Sequence, residues 1–459
     1  MNRKVTLLYI SLACVLSMQA QTRQQMGGVY YAYPEGPSAK TGTFGTATYV
    51  MSDSLSVPQG FAPFYISHYG RHGSRWMPKD DRYVWICKHF EDERNLTPLG
   101  LQVKGMLQRV WENAKGNGGK LSKLGALQHQ GIAHRMFERY PQIFAAGNAV
   151  KARSSVVDRC AKSMQAFTSE LHTLQPGLNL DVKTDSADMA WIAYVSPEVK
   201  ALESRTRVQA QVSPRRFLLQ LFKDVSKVDD PLKLMTEMHT VASSIQDVGL
   251  NFSSYPQDIE DGLNALFTDD EFRAIYDANN LRMTINNGTM ATNEDIPARS
   301  AISLWQNIEA EADRALRSVK SSATLRFGHD TALYRLLSLL FDVNVPPAGA
   351  REEASLVVLG DEMEKMDRVV PMAANLQMIF YKNAKDSVLV KFMLNERDVM
   401  LSPVGQVIYG THYYSWNAWK QEMHERIHRL EHIRQLNAIN TMVGTAQANT
   451  QTAGMFGKG

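Results

Sequence analysis

The chain has 459 residues and a formal net charge of +3, with 44% hydrophobic and 21% charged residues. This length is enough for about two or three structural units around a large hydrophobic core. A charge so small on a chain of this length excludes the broad positive field of a nucleic-acid-binding protein, so any strong positive field must be local. We therefore expect a globular protein that binds a small anionic molecule and no nucleic acid.

Residues 1–20 have the pattern of a secretory signal peptide. Arg3 and Lys4 precede an apolar run over 5–16, and Ala20 is a small residue suited to cleavage. Lipoprotein-type processing at Cys14 is a rival interpretation, but it would cut the apolar run short. The run is too short to span a bilayer and no later stretch reaches about 20 apolar residues, so no transmembrane segment is predicted. The sequence thus predicts export to a periplasm or to the extracellular space.

Removal of the signal peptide would leave two cysteines, Cys87 and Cys160. They can form one disulfide bond or remain as two free thiols, and the sequence leaves both alternatives open. Because two cysteines make no disulfide framework, stability must come from burial of the core.

Two regions precede the middle of the chain. Residues 21–60 are rich in Gly, Ser, Thr and Pro and predict an ordered extension on the surface. Residues 61–180 predict the first part of an α/β core, with buried strands near 64–66 and 150–152. The apolar periodicity there predicts helices at 82–90, 97–114, 123–140 and 156–171.

The sequence pattern changes over 181–320. Long stretches of helical periodicity follow one another there without clear strands, and they predict an inserted helical cap. The core resumes over 321–435, and the polar tail 436–459 is expected to be disordered. The predicted fold is therefore α/β: a mixed, mainly parallel sheet flanked by helices, with an inserted helical cap subdomain. The elements predicted in the second half are helices at 214–225, 232–248, 301–319, 331–340 and 416–436 and strands at 325–327, 355–359, 370–381 and 387–394.

A dense positive cluster ends the first predicted strand, in the sequence FAPFYISHYGRHGSRWMP over 61–78. Arg71, His72 and Arg75 lie within five residues, and Gly70 and Gly73 can take positive φ and let the backbone approach a ligand. Guanidinium groups match the oxygens of phosphate, and an imidazole can donate to the anion or attack its central atom. The loop therefore predicts an oxyanion site, with a solvated basic turn as the alternative.

Two further strand ends carry polar residues. Arg153 ends the strand at 150–152, and His329 and Asp330 follow the strand at 325–327. Ligands of open α/β sheets bind beyond the carboxyl ends of strands, so these residues are expected to converge with Arg71 and Arg75.

Three blocks in this order resemble the histidine acid phosphatase family, the larger-cap branch of the histidine phosphatases that includes phytases. They are RHGSR at 71–75, ARSSVVDR at 152–159 and GHD at 328–330. The resemblance extends from about 61 to 430 and includes the helical insertion. Within the family the chain is most similar to the multiple inositol polyphosphate phosphatases, through FGHDTALYRLLSLL and PMAANLQMIFYKN.

Two departures from that pattern are present. The inositol polyphosphate phosphatases usually follow the second histidine with Ala-Glu, whereas this chain has Asp330 and Thr331, as in general acid phosphatases and many bacterial phytases. The family also tends to place proline two residues after the second arginine, whereas here Trp76 and Met77 precede Pro78. The first departure identifies Asp330 as the acid by motif, and the second concerns the rim of the pocket.

The resemblance implies a metal-independent phosphomonoesterase without a cofactor, acting on inositol polyphosphates such as phytate. His72 would be the nucleophile and Asp330 the general acid, although Asp330 could instead only cap the helix after it. Asp158 and Arg159 are interpreted as an internal ion pair that orients Arg153. The implied phosphate-binding residues are Arg71, Arg75, Arg153 and His329.

Three alternatives stay open. The first is a broad-specificity acid phosphatase, for which rim cations would be ordinary surface charges; the candidates are Lys79, Arg82, Arg205, Arg207, Arg215 and Arg216. The second is a zinc hydrolase, because His424, Glu425 and His428 match His-Glu-x-x-His and His432 follows one turn later, although that helix is mostly polar. The third is a noncatalytic phosphate-binding protein. The oligomeric state and the positional specificity are not predicted.

Overall fold

A computed structural model describes residues 22–33, 41–44, 47–50, 57–288, 290–318, 320–340, 365–399 and 413–455. The predicted signal peptide, Cys14 and the predicted strand at 355–359 lie outside these residues. The strands are β1 (Thr41–Phe44), β2 (Ala47–Val50), β3 (Ala62–Arg71), β4 (Ala149–Ser154), β5 (Asn179–Thr184), β6 (Ser321–Gly328), β7 (Asn375–Lys382), β8 (Val388–Leu394), β9 (Arg397–Val399) and β10 (Tyr413–Ser415).

One eight-stranded sheet forms the centre of the protein, in the order β10-β8-β7-β3-β6-β4-β5 with β9 paired to β8. β3, β6, β4 and β5 pair in parallel, whereas β7, β8, β9 and β10 join through antiparallel pairs. Five of these eight described strands run in one direction, since β8 is parallel in sense to β3. The mixed, mainly parallel α/β fold predicted from the sequence is therefore confirmed.

The described helices cover both faces of the sheet and build a separate layer above it. Several begin as their sequences predict, for example where Thr97 accepts from Gly100 N and Pro98 occupies the first turn. The helices are α1 (Asp80–Lys88), α2 (Pro98–Ala114), α3 (Lys123–Arg139), α4 (Asp158–Leu174), α5 (Met189–Ile192), α6 (Pro197–Arg205), α7 (Arg215–Leu219), α8 (Pro231–Val248), α9 (Gln257–Asn264), α10 (Asp269–Asn287), α11 (Ile296–Ser300), α12 (Ile302–Leu316), α13 (Asp330–Leu340), α14 (Met366–Val369) and α15 (Trp416–Met455).

The two faces of the sheet bury different helices. Phe167 of α4 and Met136 of α3 pack with β4 and β6 on one face. Trp305 of α12, Leu336 of α13 and Trp419 of α15 pack on the other. Both sets are fully or almost fully buried, so the sheet is the middle layer of a three-layer core.

The helical layer comes from two stretches of chain. Helices α7 to α10 of the predicted cap share one buried apolar cluster with α1 and α2, which precede the second strand of the core. Leu107 of α2, for example, belongs to the same cluster as Met238 of α8 and Phe272 of α10. The layer above the strand ends therefore combines the insertion with an earlier segment.

The C-terminal helix is longer than the sequence indicated. The tail from 436 onward was expected to be disordered, but α15 continues to Met455. Adding residues to an existing helix avoids the cost of a new helical nucleus, which explains why a weakly patterned tail extends it. None of the described helices is long and apolar enough to cross a membrane.

Candidate active site

Three parallel strands end side by side. Arg71 pairs with Gly328 at the ends of β3 and β6, and Ser154 of β4 pairs with Phe327. Beyond these ends, His72 N donates to Gly328 O at 2.9 Å and Ser155 N donates to Phe327 O at 2.9 Å. The first and third sequence blocks therefore meet at one edge of the sheet, as predicted.

The loop after β3 is fixed by hydrogen bonds from the flanking helices. Gly73 N donates to Ser163 Oγ at 3.1 Å, Ser74 N donates to Gln128 Oε1 at 2.8 Å, and Ser122 N donates to Ser74 O at 2.9 Å. These partners lie on or at the start of α3 and α4, so the loop is held before any ligand binds.

The two loop glycines serve a different purpose from the predicted one. Neither Gly70 nor Gly73 has positive φ. A Cβ on Gly73 would instead lie 2.3 Å from Gly125 O, because the loop passes directly against α3. Close approach of two backbones, and not a left-handed conformation, therefore requires glycine at 73.

His72 is buried and presents one ring nitrogen for chemistry. Its Nδ1 lies 2.9 Å from Gly73 O, and because a carbonyl oxygen only accepts, Nδ1 carries the hydrogen and Nε2 keeps its lone pair. Burial, with the charges of Arg71, Arg75 and Arg159, holds the pKa of His72 well below its usual value. The imidazole is therefore neutral and nucleophilic near neutral pH.

Three arginines next to His72 have buried nitrogens without acceptors. Arg71 donates from Nη1 to Val29 O at 2.8 Å and to Val370 O at 2.6 Å, which fixes its direction. The Nε atoms of Arg71, Arg75 and Arg159 are buried and lack a hydrogen-bond partner within the described residues. Buried donors are normally satisfied, so this cluster fits an anionic ligand.

Arg153 lies outside this cluster, contrary to the prediction. Its Nη2 pairs with Asp181 Oδ2 at 2.6 Å, its Nη1 donates to Asp181 O, and its Nε lies 3.8 Å from Asp188 Oδ2. Side chains alternate along a strand, and Ala152 enters the cluster with α3 and α4 while Arg153 lies on the other face. The end of the strand was predicted correctly, but the face was not.

Arg159 occupies the position that was assigned to Arg153. It lies in the first turn of α4, and its charge acts on His72, His329 and Arg75. The predicted Asp158 and Arg159 pair is wrong, because Asp158 pairs with Lys162 at 2.9 Å. The signal for Arg159 was present, since it is the last residue of the block ARSSVVDR.

His329 and Asp330 complete the cluster. The rings of His72 and His329 are 5.8 Å apart, and Ser155 Oγ lies 3.2 Å from His329 Nε2. Burial, with nearby positive charge, lowers the pKa of His329 to about 4. Cys160 donates its thiol to Gly328 O at 3.2 Å behind this ring.

The carboxyl group of Asp330 contacts Arg71, with 3.0 Å between Oδ2 and Nη2, and accepts from Thr331 N at 2.8 Å. Burial by itself would raise the pKa of Asp330, but the charges of Arg71, His329 and Arg75 outweigh it and lower the pKa below its ordinary value. A general acid works best when its pKa is raised toward the working pH. The charge of the adjacent arginine shifts the pKa of Asp330 in the opposite direction.

A cavity of about 320 Å³ lies next to Asp330 and Thr331, between residues 26–30 and the helical layer. Of the six predicted rim cations, only Arg82 lines it, and Arg82 is paired with Glu237 at 2.8 Å. Arg216 is instead paired with Glu271 on the helical layer. Sequence reasoning missed Arg282, which also lines the cavity.

The candidate zinc motif and the two cysteines form no site in the described part of the chain. His424 Nε2 contacts Glu309 at 2.8 Å on the surface of α15. Among the described residues, no group of three His, Cys, Asp or Glu side chains could hold a metal ion. Cys87 and Cys160 are both free.

No family model matches the chain. A curated relative, multiple inositol polyphosphate phosphatase 1 of Gallus gallus, is 23% identical over 341 residues, which cover 71% of this chain and 73% of the relative. The multiple inositol polyphosphate phosphatase of Bifidobacterium longum, solved in complex with inositol hexasulfate, superimposes with a TM-score of 0.66 at 15% identity, over 87% of this chain and 97% of that one. The phytase from D. castellii gives a TM-score of 0.59 at 12% identity, over 88% and 85% of the two chains.

The protein therefore has the fold of the phytases and of the inositol polyphosphate phosphatases. By sequence it is a homologue of a multiple inositol polyphosphate phosphatase. The resemblance to the histidine acid phosphatases that three sequence blocks predicted is confirmed.

Proposed function

We propose that this protein is a phosphoric monoester hydrolase that acts through a phosphohistidine on His72, with inositol polyphosphates such as phytate as its substrates. The reaction type is supported most directly by the ring of His72, whose Nδ1–H is engaged by Gly73 O so that Nε2 keeps a lone pair beside three arginines. The substrate class is supported by the curated relative and by the solved structures of similar fold.

The reaction proceeds in two steps. Nε2 of His72 attacks phosphorus, the bond from phosphorus to the ester oxygen breaks, and Asp330 donates a proton to the departing alcohol. Water then attacks phosphorus, the carboxylate of Asp330 accepts a proton from that water, and the bond from phosphorus to Nε2 of His72 breaks, which frees phosphate and restores the neutral imidazole. Arg71, Arg75 and Arg159 stabilise the charge on the phosphoryl oxygens as it spreads in each transition state.

The N-terminal pattern extends the proposal to location. Residues 1–20 read as a signal peptide, so we propose that the enzyme acts outside the cytoplasm on phosphate esters in its surroundings. N-terminal sequencing of the mature protein tests this part separately, and an intact Met1 would contradict it.

A rapid quench during turnover tests the reaction type. Wild-type protein mixed with labelled substrate should carry an acid-labile, alkali-stable phosphoryl group, and His72→Ala should carry none and lose turnover. His424→Ala is the matched control, because His424 contacts Glu309 on the surface of α15. Full activity of His72→Ala would refute the proposal. The proposal would also fail, in favour of a metal-dependent hydrolase, if a chelator removed wild-type activity and His424→Ala were inactive.

A broad-specificity acid phosphatase is the second candidate, and one observation favours it. Among the described residues, Arg82 and Arg282 are the two cations that line the cavity beside Asp330, so the wall offers fewer positive charges than the phosphates of a six-phosphate ring. A phytase should have a higher kcat/KM for phytate than for glycerol phosphate, with an advantage that falls as salt screens the charges. Equal kcat/KM values at low and high salt would favour the second candidate.

A further inference from the structure

The segment 22–33 is built into the site, although the sequence predicted only a surface extension. Val29 O accepts from Arg71 Nη1 at 2.8 Å, so this segment supplies part of the cage of a site arginine. Arg23 donates to Asp269 of α10 at 2.7 Å, and Met372 N donates to Tyr31 O at 2.9 Å. The segment therefore connects the helical layer to the core and is held from both sides.

Tyr30 reaches the arginine cluster from this segment. The centroid of its ring lies 5.3 Å from Arg75 Cζ, within the range of a cation–π contact. Tyr30 also lines the cavity that contains Asp330. Its side chain interacts with Arg82 and is close enough to Arg159 to influence the pKa of that arginine. A backbone turn precedes it, because Gly28 has a φ of +60°.

The chemistry of these neighbours determines what the hydroxyl group of Tyr30 can do. A guanidinium group donates hydrogen bonds and cannot accept one, whereas a phenol does both. Beside Arg75, Arg82 and Arg159, the hydroxyl oxygen can act as an acceptor, which leaves its own hydrogen for an oxygen of a ligand. A neutral donor of this kind adds a hydrogen bond without adding another positive charge to a crowded cluster.

We propose that Tyr30 is a substrate-binding residue whose hydroxyl group donates a hydrogen bond to a non-bridging oxygen of the phosphoryl group held by the arginine cluster. This assignment rests on the proposed phosphatase function for its role in turnover. The binding of a phosphate oxyanion by Tyr30 can be measured without turnover, so the two proposals can fail separately.

The test is Tyr30→Phe in the full chain, because phenylalanine keeps the ring over Arg75 and removes only the hydroxyl group. Calorimetry with inorganic phosphate should give a Kd about tenfold higher than in wild type, as expected for one hydrogen bond to a charged acceptor. The kcat/KM for a phosphate ester should fall by a similar factor. Tyr31→Phe removes a hydroxyl group from the next residue, which is buried against the core, and should leave the Kd unchanged.

A Kd for Tyr30→Phe within twofold of wild type would overturn the assignment, as would an equal rise in Tyr31→Phe. A tenfold rise confined to Tyr30→Phe supports it even if the wild-type protein hydrolyses no phosphate ester, in which case the proposed hydrolase function fails and the phosphate contact remains. Circular dichroism melting of both variants shows whether either substitution has loosened the segment.

Discussion

Arg71 Nη2 and Asp330 Oδ2 lie 3.0 Å apart, where the ends of β3 and β6 adjoin. Despite its burial, Asp330 has a lowered pKa because Arg71 and the other positive groups favour the carboxylate. A carboxyl group with a lowered folded-state pKa stabilises the fold above its ordinary pKa, and this contribution is lost as pH falls through the lowered value. These positive groups therefore hold Asp330 as the carboxylate, the form that cannot act as an acid.

Binding of a dianion should reverse this, because its charge offsets that of the arginines and raises the pKa of Asp330. We predict that sulfate, which does not titrate in this range, binds with net uptake of protons near pH 5. Calorimetry in buffers of different ionisation enthalpy measures the uptake. His72 and His329 can take up protons for the same reason, so the difference between wild type and Asp330→Asn gives the share of Asp330. Equal uptake in both proteins would contradict the prediction.

The leaving group should reveal the proton that Asp330 donates. Asp330→Asn should slow hydrolysis of glycerol phosphate about 100-fold to 10,000-fold and hydrolysis of an aryl phosphate far less, because an acidic phenol needs little protonation as it departs. The ratio of kcat/KM values for the two esters, in variant and wild type, is the measurement. If both substrates lost the same factor, Asp330 would serve binding or structure instead.

Arg159 and Arg153 lie in one sequence block, but we predict opposite effects on activity when each is replaced by alanine. Arg159→Ala should lower kcat/KM about 100-fold, because one preorganised donor to the transition state contributes roughly 3 kcal/mol. Arg153→Ala removes the ion pair with Asp181 and should lower the melting temperature while keeping kcat/KM close to wild type. Steady-state kinetics and melting curves of the two variants decide, and the reverse order of activities would restore the assignment made from sequence.

Arg153 and Arg159 also show how much of the site could be predicted from the sequence. Local pattern located the strand ends, and the register of β3, β6 and β4 follows from their parallel pairing, so Arg71, His72, His329 and Asp330 could be predicted to meet. The face on which Arg153 lies depends on which side of β4 packs on α3 and α4. In this six-residue strand Lys151 and Arg153 alternate with Val150 and Ala152, and both faces are covered by helices, so the alternation alone does not identify the face that holds the site.

Contacts between distant segments were harder to predict than the strand ends. Tyr30 reaches Arg75 from a stretch without periodicity, and only the tertiary path of residues 22–33 brings it there. The lowered pKa of Asp330 depends on a distance of 3.0 Å to Arg71, which no spacing in the sequence encodes. Gly73 was identified by its type, but the reason for it is contact with Gly125, which lies 52 positions away.

Gly73→Ala should destabilise the protein and remove activity, because its Cβ would lie 2.3 Å from Gly125 O and neither backbone can yield cheaply. We expect a loss of about 3 kcal/mol, at the upper end of overpacking costs, and a large fall in kcat as His72 moves. Gly105→Ala is the matched control, since a Cβ there meets nothing within 4 Å. In the middle of α2 it should add about 0.5–1 kcal/mol of stability. Denaturant unfolding of both variants tests the contrast, which would fail if they changed stability equally.

Asp247 of α8 connects the helical layer to the loop after β3. Its Oδ1 accepts from Ser74 Oγ at 2.6 Å, and its Oδ2 is buried without a hydrogen-bond partner among the described residues. Burial raises its pKa from 3.8 to about 8, although Ser74, Arg75 and Arg71 oppose the shift. The folded state therefore keeps a proton that the unfolded state loses, and stability falls as pH rises from about 4 to about 8.

Asp247→Asn should remove that part of the pH dependence, because asparagine resembles the protonated acid in shape, keeps an acceptor for Ser74 and cannot ionise. We predict that the melting temperature of this variant equals or exceeds that of wild type at pH 8 and that its decline between pH 4 and pH 8 is shallower. Asp261→Asn, the same change at an exposed position on α9, should follow the wild-type curve. Parallel curves for all three proteins would show that Asp247 is ionised in the folded state, with its charge compensated by Arg71 and Arg75.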